Sequence, residues 1–210
     1  MSPTIHRTTL KLPAGVQRGQ EKSGESPAIG LPAAWDYALT MPIFTRTKAG
    51  YFRPDNCTIV GDVTIGPDSS IWFGAVIRGD VAPVSIGRRV NVQDNAVIHC
   101  DTGVANVIED DVTIGHGAIV HGKFVGEGSL IGMSATLLSR SSIGKGCLVA
   151  AGAVVPPDMV APDGMLLMGV PAKILRPVKP EESDYMRWLI GHYQDLAVQY
   201  VAGRFDPVGF

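Results

Sequence analysis

Three histidines, His99, His116 and His121, together with Arg78, Asp80 and Gln93, are the side chains of this sequence whose types and spacing suit chemistry. Imidazole nitrogen binds a divalent ion without adding charge, and three such ligands leave a fourth position open to water, as in catalytic rather than structural zinc sites. An ion held in this way lowers the pKa of its water to about 7. Arg78 is a permanent cation suited to an anion, Asp80 is a partner for it, and Gln93 can hydrogen-bond a bound water or oxyanion. A lone surface histidine does none of this. The reading therefore depends on whether the fold brings these side chains together.

The elements that must position them follow a repeat. Aliphatic residues recur every six positions at Ile59, Ile65, Ile71 and Ile77, at Ile86, Val92 and Ile98, at Ile108, Ile114 and Val120, and from Val125 through Ile131, Leu137, Ile143 and Val149 to Val155. Small residues stand two places earlier at Cys57, Ser69, Ala75, Ala96, Ala118, Ser129, Ala135, Ser141, Cys147 and Ala153. Side chains two apart on a strand share a face, so both columns point inward. Glycine often follows the aliphatic, as at Gly66, Gly115 and Gly132, which suits a chain that turns after every short strand. An amphipathic helix needs a period near 3.6 and does not fit. The pattern predicts an all-β solenoid, a parallel β-helix of hexapeptide repeats with three units to a coil and roughly five coils stacked about 4.8 Å apart.

Counting units places the chemistry. Ile77, Ile98 and Val120 occupy equivalent places on successive coils, so the residues after them, Arg78, His99 and His121, form one outward column. His99 and His121 can then converge on one ion. His116, two residues past Ile114, lies on the preceding face, and its side chain points along a different normal. It completes the site only from an adjacent subunit of a three-fold ring, with two ligands from one chain and one from the next. Gln93 stands beside that expected interface. Cys100 projects to the other side of its strand, and Asn91 and Asp94 are expected as supporting or turn residues.

Composition bounds the rest. The chain has 210 residues and a formal charge of −2 with no basic run, which excludes a nucleic-acid footprint and an anionic-membrane surface. No apolar run approaches the ~18 residues of a membrane span, so a cytoplasmic protein is expected. Three cysteines make no disulfide framework, and two of them, Cys57 and Cys147, belong to the small inward column. Residues 1–37 mix Ser, Gly, Pro, Gln, Lys and Glu without period and read as a flexible N-terminal extension. Residues 38–178 read as the solenoid, with Met41 to Asn56 as its lead-in coil and the regular repeat ending after Val155. Residues 179–210 read as a C-terminal α-helix and tail, the helix running from Pro180 to about Gly203. Tyr185, Trp188, Leu189, Tyr193, Leu196 and Tyr200 form its expected apolar stripe, and Tyr193 is the member that could reach a site at a subunit boundary.

Val76-Ile-Arg-Gly-Asp80, Asn91-Val-Gln-Asp94 running to His99, and Gly115-His-Gly117 followed by His121-Gly122 resemble the gamma-class carbonic anhydrases, over roughly residues 41–205. The resemblance implies a left-handed β-helix, a homotrimer, and Zn2+, or Fe2+ or Co2+, held by His99 and His121 of one subunit and His116 of another. It implies a lyase that hydrates carbon dioxide to bicarbonate, with Arg78 and Gln93 acting on bicarbonate and the metal-bound water and Asp80 contacting the arginine. Two departures stand out: Val81 replaces a glutamate of the archetypal member, and the loop from Cys100 to Asn106 is short, with Asp101 as its one acid. Two other readings compete. A hexapeptide acyltransferase using acetyl-CoA shares the segment Gly169-Val-Pro-Ala-Lys173 but needs a single histidine base. A trimeric scaffold would use the ion only to staple subunits.

Overall fold

Each face of the solenoid is a ladder of short strands whose last residue is one of the periodic aliphatics. The computed structural model describes residues 43–205, so the extension expected over residues 1–37 and the tail beyond residue 205 lie outside the described residues. On the first face Ile71, Val92, Ile114, Ile131, Val149 and Leu167 stack in parallel register. The second face stacks Ile59, Ile77, Ile98, Val120, Leu137 and Val155. The third stacks Ile65, Ile86, Ile108, Val125, Ile143 and Ala161. The result is a left-handed parallel β-helix with one C-terminal helix. It has about six coils rather than five, because the repeat continues past Val155 through Ala161 and Leu167 despite the prolines between them.

Both inward columns are buried. Ile71, Ile77, Ile98, Ile114, Val120 and Leu137 are solvent-free, as are Ala75, Ala96, Ala118 and Ala135 two places before their partners. Each such aliphatic contributes about 1.5–3 kcal/mol through burial, and only because the next coil covers it. The cysteines Cys57, Cys100 and Cys147 are free and buried.

The ends differ from the expectation of simple coils. Phe44–Arg46 and Phe52–Pro54 form an antiparallel hairpin rather than a lead-in coil, and Phe52 joins the first face beside Ser70. At the other end Met165–Gly169 turns back against Ala172–Pro177, again antiparallel. A solenoid whose terminal coil were left bare would present unpaired backbone groups, and these hairpins occupy that edge at each end of the first face.

The three departures from the six-residue step fall on one edge of the prism. Ile77 to Ile86, Ile98 to Ile108 and Val120 to Val125 all cross from the second face to the third, whereas Ile59 to Ile65 and Leu137 to Ile143 cross there in six. The two long crossings interlock, and the second reaches past the short one. Gly103 N–H donates to Val81 O at 3.2 Å. Cys100 Sγ reaches Ala82 O at 3.2 Å, and Ser139 Oγ donates to Asp101 Oδ1 at 3.0 Å across the shortened coil.

The helix α1 spans Pro180–Val201, with Pro in its first turn and Glu181 and Glu182 beside its N-terminus. Its buried side chains are Met186, Leu189 and Ala197, and Tyr193, Leu196 and Tyr200 pack with Phe44, Trp72 and Phe73. Tyr185 and Trp188 do not belong to this stripe. They are 53% and 56% exposed and stack with His192, which spacings of three and four residues bring together, Tyr185 standing at the rim of the groove between the first face and the helix. Among the described residues no helix is long and apolar enough to cross a membrane.

Candidate functional site

The register of the second face sets Arg78, His99 and His121 in the outward column that unit counting predicts. The His99 and His121 ring centres lie 5.2 Å apart with planes inclined by 59°. Two imidazoles bound to one tetrahedral ion through nitrogens about 2.0–2.1 Å from it have ring centres roughly 5 Å apart, the separation found for this pair. Asp80, on the first of the long crossings, turns back to this column. Its Oδ2 accepts Arg78 Nη1 at 2.6 Å and its Oδ1 lies 3.0 Å from His99 Nε2. Arg78 Nη2 stands 3.5 Å from His99 Nδ1. Desolvation acts to raise the Asp80 pKa, but hydrogen bonds from His99 and Arg78 outweigh it and hold the carboxyl below its usual range. The arginine and aspartate pair within one chain.

His116 is built differently. It sits on the corner between the first and second faces, where Gly117 takes φ 67°, a left-handed turn that glycine enters without strain. Its backbone N–H donates to Oε1 of Gln93 at 3.0 Å, and Gln93 is buried. Its Nδ1 meets Asp94 Oδ2 at 2.8 Å, and its Nε2 lies 3.2 Å from the Tyr193 hydroxyl. A proton on Nδ1, directed at the carboxylate, leaves the Nε2 lone pair for a ligand. Tyr193 lies edge-on to Trp72 at 5.3 Å, and its burial, then the charge of Asp94, pushes the phenol pKa up.

One chain therefore carries two separate clusters. Arg78, Asp80, His99 and His121 share one edge, while Gln93, Asp94, His116 and Tyr193 share another. Among the described residues no cluster of three His, Cys, Asp or Glu side chains could hold an ion by itself. The donor set is right for a divalent metal, but it is divided. Asp101, the one acid of the short loop, stands 3.8 Å from His121 Nδ1, beyond hydrogen-bond reach, and is held instead by Ser139. A groove of about 420 Å³ between the first face and α1 runs past Gln93 and Tyr193, with Leu148, Met133 and Met168 in its wall.

Sequence reasoning placed Asp94 only as a supporting or turn residue and did not single out Asn106 or Ser139. Asn106 breaks the small inward column, where a polar amide two places before Ile108 was the available signal.

A three-faced hexapeptide solenoid with histidines divided between two edges defines a hexapeptide-repeat protein whose candidate site lies on its outer surface, not in its core. No protein-family model matches the chain. A carbonic anhydrase of Geobacillus kaustophilus is 43% identical over 157 residues, which cover 75% of this chain and 86% of that protein. A mitochondrial gamma carbonic anhydrase of Arabidopsis thaliana is 39% identical over 167 residues, 77% of this chain and 60% of the plant protein. Among solved structures, a hexapeptide transferase family protein of Anaplasma phagocytophilum superposes with a TM-score of 0.62 at 32% identity, over 72% of this chain and 96% of that one. The chain belongs to the gamma-class carbonic anhydrase family and is a carbonic anhydrase-like lyase.

Proposed function

We propose that the chain catalyses the reversible hydration of carbon dioxide to bicarbonate at the subunit boundaries of a homotrimer. The observation that carries this reading is the division of the donors: His99 and His121 paired at 5.2 Å on one edge, and His116, tethered by Asp94, on another. A three-fold ring in which the second edge of one subunit meets the first edge of the next unites them. A divalent ion held by the three imidazoles would supply the Lewis acidity that makes water a nucleophile at neutral pH. Zn2+ suits the set, and Fe2+ and Co2+ are the other candidates, since imidazole accepts all three.

The chain's own groups take the remaining roles. Arg78 offers a cation for bicarbonate, and Asp80 fixes the direction of its guanidinium. Gln93 spends its Oε1 on the backbone of His116, which points the carboxamide and leaves the NH2 group free to orient the attacking oxygen. Asp94 holds the His116 tautomer, and the Tyr193 hydroxyl lies against its Nε2. Val81, in place of an acid, leaves the step of proton export to other groups or to buffer.

Hydration measured by stopped flow on the metal-loaded protein tests the proposal, with His121→Ala as the control that should abolish it. Activity that survives this substitution would falsify the reading. The acyltransferase alternative draws support from the structural relative named as a hexapeptide transferase. Coenzyme A binding without stoichiometric metal would favour it, and trimers that hydrate no carbon dioxide and fall apart on chelation would favour a scaffold. A cytoplasmic site of action is part of the same proposal, and cell fractionation checks it.

A further inference from the structure

At the corners between the first and second faces, and at the six-residue crossings after Leu137 and Val155, the carbonyl of the residue after the aliphatic accepts the N–H three residues further on. Gly115 O accepts Ala118 N–H at 3.0 Å, Leu138 O accepts Ser141 N–H at 3.1 Å, and Pro156 O accepts Met159 N–H at 3.4 Å. That bond fixes the plane of the peptide and, with it, the direction of the outward side chain on the same residue. His99 occupies this place on its coil, but the chain spends ten residues between Ile98 and Ile108, and no such turn closes there. Its carbonyl accepts Asn106 Nδ2 instead, at 2.9 Å, and the same nitrogen donates to Val120 O at 3.1 Å.

Asn106 is fully buried on the third face, two places before Ile108 and beside Val84 of the preceding coil. Its Oδ1 has no partner among the described residues. A buried amide with an unpaired acceptor is unfavourable in itself, so its use in the fold lies in the two bonds it donates. Both go to the peptides that carry the histidine pair: one to the carbonyl of His99, the other to the carbonyl of the peptide leading into His121.

We propose that Asn106 is a positioning residue for the histidine pair: by bonding the carbonyls of His99 and Val120 together it sets the separation and tilt of the His99 and His121 imidazoles. The role rests on the metal reading given above, and it supplies at His99 what a turn supplies at Leu138 and Pro156 on the same edge. Serine at this place would reach one carbonyl, and leucine neither.

The test compares wild type, Asn106→Ser, Asn106→Leu and Ser129→Ala for Zn2+ affinity, by competition with a chromophoric chelator, and for thermal unfolding without metal. Ser129 is the matched control. It stands at the corresponding inward position on the first face, two places before Ile131, donates to Gly144 O at 2.8 Å and accepts Cys147 N–H at 3.0 Å, so its loss removes inter-coil bonds remote from the histidines. Asn106→Leu should weaken Zn2+ binding by about 10–100-fold, the range for groups that orient metal-bound histidines. Asn106→Ser should lose less, and Ser129→Ala should unfold at lower temperature with unchanged affinity. If Asn106→Leu does not fold, Asn106→Ser decides. Unchanged affinity in folded Asn106→Ser, or an equal loss in Ser129→Ala, overturns the positioning role alone. A wild-type protein that takes up no Zn2+ overturns the metal reading and this role together.

Discussion

Asp94 and His116 face each other across 2.8 Å on a corner of the prism, carboxylate oxygen against Nδ1. The contact leaves the other ring nitrogen to a ligand and fixes the ring plane. Asp94→Asn keeps the shape but removes the charge that favours the protonated Nδ1. Zn2+ affinity should fall by about 10–100-fold with little change in the unfolding temperature. Dialysis against a chelator followed by elemental analysis reads the loss, and retention of full metal would show that the contact does not orient the ligand.

Gly79, between Arg78 and Asp80, faces Gly61 on the preceding coil where the paired strands bend. A Cβ on Gly79 would stand 2.3 Å from Asp62 O and 2.8 Å from Asp62 C, both backbone atoms that cannot swing aside. Gly79→Ala should therefore force the two coils apart, costing about 1–3 kcal/mol as an overpacked site does. It should also weaken activity by disturbing the Arg78–Asp80 pair. Urea unfolding reads the first effect as a lower midpoint at constant slope. An unchanged midpoint would mean that the bend absorbs a methyl group.

The stacking of Arg78, His99 and His121 was legible because one aliphatic column fixes every other column in a solenoid. Ile77, Ile98 and Val120 align, and the residues after them have no choice. The same periodicity gave the displacement of His116 to another face. It could not show that Tyr193 meets His116, a contact across 77 residues that depends on which side of α1 docks on the prism. The helical stripe read from sequence included Tyr185 and Trp188, which share its spacing yet stay more than half exposed. The bonds made by Asn106 and Asp101 were hidden for a different reason. The two residues stand in or beside the crossings that break the six-residue step, where the repeat marks a position, as it does for Asn106 before Ile108, but not its partner.

Acid should loosen the start of α1 before it melts the prism. Glu182 accepts a two-pronged bond from Arg176 at 2.7 and 2.9 Å and a third from Lys179 N–H at 2.8 Å. The Arg176 hydrogen bond, then that of Lys179, lowers its pKa from 4.5 to about 2. A carboxylate depressed in the folded state contributes stability that is fully present above its unfolded value and lost as pH falls through the folded one. The window is thus from about 4.5 down to about 2. Far-ultraviolet circular dichroism should show helix signal lost in that window in the wild type. Glu182→Gln should show the weaker helix at neutral pH with this acid step missing.

Tyr193 separates packing from chemistry. Its ring lies against Trp72 while its hydroxyl meets His116 Nε2 at 3.2 Å, so Tyr193→Phe keeps the first contact and removes the second. Loss of one hydrogen bond should cost about 0.5–1.5 kcal/mol of stability. If Nε2 of His116 is the metal-binding nitrogen, the hydroxyl competes with the ion for that lone pair in the metal-free chain. Zn2+ affinity in Tyr193→Phe should then hold or rise, whereas turnover falls only if the hydroxyl also orients the substrate oxygen. Titration with Zn2+ alongside a hydration assay separates the two. A fall in affinity would place the hydroxyl as a support for the ligand rather than its competitor.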